Sequence, residues 1–150
     1  MSLCIDELGI MSAMSLPEAQ LFRLLTSIFG EEKVIYNMRV ISVCGGEIPQ
    51  ECIVGDPMLL HWSQSNRCLF TLLNGEDQPR LVIEFFSGYE ASIVAVEAEH
   101  QRYLRPLFTK LGIHYVTISD EEFSDILDPN SGYDFFALLR DKVELQDPPV

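Results

Sequence analysis

The stretch Arg67-Cys-Leu-Phe-Thr-Leu-Leu-Asn-Gly-Glu-Asp-Gln-Pro-Arg-Leu-Val-Ile-Glu-Phe-Phe86 decides the fold. Two apolar runs flank Asn74-Gly75-Glu76-Asp77-Gln78-Pro79, a segment with the composition of a turn. Asn-Gly is a hairpin signal, and a proline starts a strand more easily than it sits inside one. The stretch therefore reads as an antiparallel hairpin with strands over 67–73 and 80–86. Glu84 is the one charge deep in the second run. A carboxylate in so apolar a strand is paired, at a strand end, or part of a site.

Upstream, Ser15-Leu16-Pro17-Glu18 is a helix start: Ser15 caps, Pro17 fits the first turn and Glu18 completes a capping box. Leu21, Leu24, Leu25, Ile28 and Phe29 then recur at the spacing of one buried helical stripe, and Gly30 stops it. Lys33–Val43 reads as a strand. Cys44–Pro57 is a long excursion with a short strand at Glu51–Val54, and Met58–Trp62 is a short helix or turn in which Trp62 anchors packing. Downstream, Ser92–Leu111 is helical, with His100, Leu104, Leu107, Phe108 and Leu111 on one face, and Pro106 is expected to kink or divide it. Gly112 ends that helix, and Ile113–Ile118 is a strand. Ser119-Asp120-Glu121-Glu122 opens a helix with acidic first-turn residues that suit the helix dipole. Pro129–Gly132 breaks it, and Tyr133–Val143 is a last helix.

The organisation is thus an arm over 1–14, one domain over 15–144 and a tail over 145–150. The 150 residues are 47% hydrophobic and 22% charged, enough for one domain with its own core. The link from the hairpin through the long helix to strand 113–118 is long enough for a parallel crossover. The class is α/β: an αβββαβ core, a mixed central sheet flanked by helices, and extra C-terminal helices.

A net charge of −13 argues against a protein that holds duplex nucleic acid by neutralising phosphate. Arg102, Arg105 and Lys110 nonetheless lie close together, either as a nucleic-acid-binding patch or as a solvated helix face. No run approaches the roughly 18 apolar residues of a membrane span, so no membrane partner is expected. Cys4, Cys44, Cys52 and Cys68 fit neither a zinc site nor a disulfide framework and read as reduced thiols of a cytosolic protein. Cys44-Gly45-Gly46 has no paired histidine to activate a thiol nucleophile.

Several short pieces stand in a particular order: Glu18 on the first helix, Leu69-Phe70, Val82-Ile83-Glu84-Phe85, His100 with Arg102, and Leu111-Gly112-Ile113. Together, over about residues 15–118, they resemble the core of the restriction-endonuclease-like, or PD-(D/E)xK, nuclease superfamily. The likeness is to a bacterial branch of uncharacterised domains related to very-short-patch-repair endonucleases. The resemblance implies a divalent-metal site for cleaving DNA or RNA, with Glu84 as metal ligand and Glu84, Glu18 and His100 as catalytic candidates. It also places Leu69 where the family has an Asp, and Phe86 where it has a Lys or similar polar residue two positions after the acidic one. Residues i and i+2 of a strand share a face, and a turn pairing Leu73 with Arg80 sets Leu69 opposite Glu84. One carboxylate between Leu and Phe is a poor Mg²⁺ or Mn²⁺ site.

Two functions are expected on these grounds. In the first, the chain is a catalytically degenerate nuclease-fold protein acting as an interaction or structural module. It then needs no cofactor and docks a protein partner or a second copy near Phe86 and Tyr89. In the second, it is a divergent Mg²⁺- or Mn²⁺-dependent nuclease using Glu84, Glu18 and His100.

Overall fold

The computed structural model describes residues 14–146 apart from Tyr89, Pro129, Ser131 and Tyr133, with the backbone alone for 145 and 146. Most of the expected arm and the end of the expected tail therefore lie outside the described residues. Helix α1 (Leu16–Phe29) starts at the Ser15 capping box: the Glu18 amide donates to Ser15 Oγ at 3.3 Å, and the Ser15 amide to Glu18 Oε1 at 2.9 Å. Leu21 and Leu25 on its inner stripe are fully buried. Gly30 ends it with φ 94°, a left-handed value a β-carbon would strain. A short 3₁₀ turn, Glu31–Lys33, leads into β1 (Val34–Arg39).

β1 is shorter than the expected 33–43 strand. Its partner β2 (Arg67–Leu73) begins at Arg67, which pairs with Arg39. Past that point there is no ladder to join, and Val40–Val43 winds into the short helix α2 instead. The switch buries Val40 and Val43 and lets the Val40 amide donate to the Asn66 carbonyl at 2.9 Å. The strand expected at Glu51–Val54 is not formed either. Pro49 precedes helix α3 (Gln50–Gly55), and its carbonyl accepts from the Cys52 and Ile53 amides. Helix α4 (Leu59–Ser65) comes next and buries Leu59 and Trp62.

The hairpin forms as read, with one correction at its tip. Phe70, Thr71 and Leu72 face Ile83, Val82 and Leu81 of β3 (Pro79–Phe85), the expected register. Leu73, however, pairs with Pro79 across a bulge, not with Arg80. The turn supplies the cause. Asn74 Oδ1 accepts from the Glu76 and Gln78 amides, and Asp77 takes the left-handed conformation at φ 60°, a tight loop that uses one residue more on the β3 side.

Helix α5 (Ala91–Leu111) carries the chain over to β4 (His114–Ile118), which lies parallel to β3. Of the kink or division expected at Pro106, the division does not occur: α5 runs unbroken through it. His100 and Leu104 before it, and Leu107 and Phe108 after it, are all buried in the same packing, and this holds both halves on one sheet face. Two helices complete the described residues. α6 (Asp120–Leu127) starts at a second capping box, Ser119 with Glu122. α7 (Phe135–Gln146) starts where Asp134 Oδ1 accepts from the Phe136 and Ala137 amides, later than the expected 133, and ends past the expected 143.

Among the described residues the strands form one sheet in the order β1-β2-β3-β4, antiparallel except for the last pair. Helices cover both faces. On the first, α1, α6 and α7 set Leu21, Leu25, Phe123 and Leu139 against Phe70, Ile83, Phe85 and Val116. On the second, α2, α4 and α5 set Val40, Trp62, Leu104 and Phe108 against Cys68, Val82 and Tyr115. This is an α/β chain with a mixed four-stranded sheet between helices. No helix among the described residues is long and apolar enough to cross a membrane.

One irregularity of the sheet decides which side chains stand beside Glu84. Tyr36 and Phe70 belong to the first core, yet Met38 and Cys68, two residues along each strand, belong to the second. Regular strands keep such residues on one face. Asn37, at φ 61°, makes the switch on β1, and Arg67 Nη1 donates to its carbonyl at 2.9 Å. Asn is among the few non-glycine residues that tolerate this conformation.

Candidate functional site around Glu84 and His100

Glu84 lies next to the C-terminal end of β3, where the alternation of the strand points it at α5. The buried stripe of α5 brings His100 above it. His100 Nδ1 and Glu84 Oε1 are 3.2 Å apart, and the two residues are only 7% and 3% exposed. Aromatic rings close the pair in. Trp62 meets the His100 ring edge-on with centroids 5.2 Å apart, and Phe86 meets it the same way at 5.6 Å. Trp62 is itself fixed on two sides: it stacks on Tyr103 at 4.5 Å, and its indole N–H donates to Glu99 Oε1.

Burial pushes the Glu84 carboxyl above the ordinary carboxylate range. The hydrogen bond and charge of His100 pull it back in part, as does the Leu69 amide, while the charge of Glu18 adds slightly to the rise. Leu69 therefore meets Glu84 differently from the sequence expectation. Its side chain packs in the first core, on the other side of the sheet, and its backbone faces the carboxylate. The face switch at Asn37 explains this: on the second face Cys68 lines up near Glu84, and burial with that nearby carboxylate drives the Cys68 thiol strongly up.

The structure brings two of the three catalytic candidates together. Glu84 and His100 touch. Glu18 belongs to α1 on the opposite face, with its carboxylate held by the Ser15 amide. The basic trio is on the exposed side of α5, but two of its members are paired. Arg102 reaches Asp56 at 3.5 Å and lies over Tyr103; Lys110 reaches Glu51 at 3.1 Å. Arg105 lies over the Tyr115 ring. Phe86 is half-buried and lines a groove of about 170 Å³ with Gly88, Val94, Glu97 and Thr117. Tyr89 lies outside the described residues. Cys44 is protonated at neutral pH, its thiol pushed up to about 12 by burial and by Cys52, so it is no nucleophile.

A comparison with protein-family models, curated proteins and solved structures finds no significant match to this chain. The site must therefore be judged by its own donors. A hard divalent ion needs several oxygen ligands and room for water. Glu84 offers one carboxylate, already engaged by His100 and Leu69. Among the described residues, no group of three His, Cys, Asp or Glu side chains is arranged to hold a metal ion. The residues present do not fit Mg²⁺ or Mn²⁺. What the pair does do is hold a buried carboxyl against an imidazole at 3.2 Å, which ties β3 to α5.

Two contributors are not legible in the sequence. The Leu69 amide depends on the backbone switch at Asn37, for which a lone Asn in a strand is a faint signal. The Glu99 cap on Trp62 depends on α4 packing against α5, and the excursion's irregular sequence hides that packing.

Proposed function

We propose that this chain is a catalytically silent protein of the restriction-endonuclease-like class that works as an interaction or structural module. Glu84 and His100 are then a structural pair inside its core. The observation that carries the reading is the enclosure of Glu84. A carboxylate 3% exposed, engaged by the Leu69 amide and by His100, whose ring Trp62 and Phe86 flank, supports packing over metal chemistry. The order α1-β1-β2-β3-α5-β4, with its last strand pair alone parallel, supports the finer fold class. Because Phe86 stands two residues after Glu84, no polar side chain at that position can steady a water or a developing negative charge.

The interaction surface in this reading lies around Phe86 and the start of α5. There Val94, which lines the groove with Phe86, is 50% exposed, and Val96 is 49% exposed elsewhere on the first turns of α5. A helix with apolar residues on its outer side is ordinarily covered, which supports a protein partner or a second copy. The reading is tested by titrating Mn²⁺ while following the His100 ring by NMR. The His100 signals should keep their widths at metal concentrations that broaden exposed carboxylates. Early broadening of His100 that disappears in Glu84→Gln would overturn it.

A further inference from the structure

The groove that Phe86 lines sits at the C-terminal ends of the parallel strands β3 and β4, where open α/β sheets bind ligands. Part of its lining is apolar and open: Phe86 is half-buried and Val94 is 50% exposed. The rest carries carboxylates, Glu97 from α5 with Asp120 and Glu122 from α6. Glu122 already has a cation, Lys142 Nζ at 2.9 Å. Glu97 and Asp120 have none: among the described residues no lysine, arginine or histidine lies within ion-pair distance of either. Gln101 Nε2 donates to Glu97 Oε1 at a long 3.4 Å. Asp120 accepts from the Ser87 hydroxyl at 3.0 Å and the Gly88 amide at 2.9 Å, one on each oxygen. A carboxylate so engaged has lone pairs left for a further donor. The two bonds also hold Asp120 in place, so a partner need not order it. The positive end of α6 does not cancel this charge, because Asp120, Glu121 and Glu122 all stand in its first turn.

We propose that this groove docks a basic segment of a protein partner, which sets a lysine or arginine against Glu97 and Asp120 and an apolar side chain against Phe86 and Val94. Charge selects this occupant over the others. A second copy meeting the groove through a two-fold axis would bring the same patch to itself, carboxylates against carboxylates, in a chain whose net charge is −13. Nucleic acid and anionic lipid are repelled for the same reason. The groove holds about 170 Å³, which at roughly 30 Å³ per water is about six waters' worth of material, the size of one side chain. The rest of the segment then lies along the exposed start of α5. The inference rests on the reading of the Phe86 surface as an interaction surface, and it names the partner's chemistry there.

The test is an amide NMR titration of the whole chain with three synthetic peptides: acetyl-Lys-Leu-Arg-Leu-Lys-amide, its glycine counterpart acetyl-Lys-Gly-Arg-Gly-Lys-amide, and the acidic acetyl-Glu-Leu-Gln-Leu-Glu-amide. The first should give saturable shifts at 86–88, 94–97 and 117–120, the second should bind more weakly, and the third should not bind. Glu97→Gln should weaken binding about two- to fivefold, the range of a partly exposed ion pair. Glu76→Gln removes the same charge at the far end of β3, in the hairpin turn, and should leave binding unchanged. Val94→Lys, at an exposed helix position, should keep the wild-type unfolding midpoint and weaken binding at least about fivefold. The proposal is overturned if the first peptide gives no saturable shifts through the millimolar range, if the acidic or glycine peptide binds as tightly, or if Glu97→Gln loses no more than Glu76→Gln. Shifts of the same amides on raising protein concentration without peptide would overturn it in favour of a second copy. The catalytically silent reading is judged separately, by the His100 signals under Mn²⁺. A flat peptide titration with those signals unbroadened strikes the basic partner alone.

Discussion

Replacing Glu84 with Gln should stabilise the protein at about pH 8 and change it little at about pH 4. Burial raises the proton affinity of this carboxyl, so the folded protein keeps a proton that the unfolded chain releases above its ordinary value. Between those two points the folded state binds more protons than the unfolded one, and stability falls as pH rises. Above the folded value the whole cost of an ionised buried carboxylate remains; below the unfolded value it is absent. Each tenfold rise in proton affinity corresponds to about 1.4 kcal/mol. Gln has the shape of Glu and keeps a hydrogen bond with His100 Nδ1 without the charge. Since a neutral amide does not carry the desolvation cost of an ionised buried carboxylate, a gain of about 1–2 kcal/mol is expected at the higher pH. For a chain of this length that raises Tm by roughly 2–8 °C. Urea unfolding across this pH range, with the slope m unchanged, reads it directly. A variant less stable than wild type at about pH 8, or shifted equally at every pH, would refute the reasoning, because the charge would then be welcome where it sits.

Two further substitutions probe the sheet around the site. Thr71 Oγ1 is fully buried without a hydrogen-bond partner, so Thr71→Val, which keeps the shape and removes the stranded hydroxyl, should be neutral or stabilising by up to about 1 kcal/mol in urea unfolding. A loss of that size would mean the hydroxyl is satisfied. Asn37→Val forces a β-branched residue into a left-handed conformation and should cost about 1–3 kcal/mol, whereas Asn37→Gly should be tolerated; equal melts for the two variants would remove the strain argument.

The hairpin was legible because apolar runs, a turn composition and a proline all agreed, and they fixed the register from Leu72 inward. The Ser15 capping box and the His100 stripe were legible for the same reason, being local patterns with a single geometric outcome. Val40–Val43 was not, since four β-branched or small residues read as strand and only the absence of a partner strand beyond Arg67 turns them into helix. The environment of Glu84 was half legible. Its encounter with His100 comes from two periodicities, one of strand and one of helix. The place of Leu69 does not, because alternation carried across β2 puts its side chain on Glu84's face, and one left-handed residue on the neighbouring strand reverses that. The excursion hid its helices because Gly45, Gly46 and Pro49 interrupt any period before it is long enough to recognise.

The most direct test is cleavage itself. Purified protein and its Glu84→Ala variant should be compared on duplex DNA, single-stranded DNA and RNA with Mg²⁺ and with Mn²⁺. With Glu84 buried against His100, whose ring Trp62 and Phe86 flank, the two proteins should be indistinguishable from buffer on every substrate. Metal-dependent cleavage by the wild type that is lost in Glu84→Ala would contradict the account at its centre.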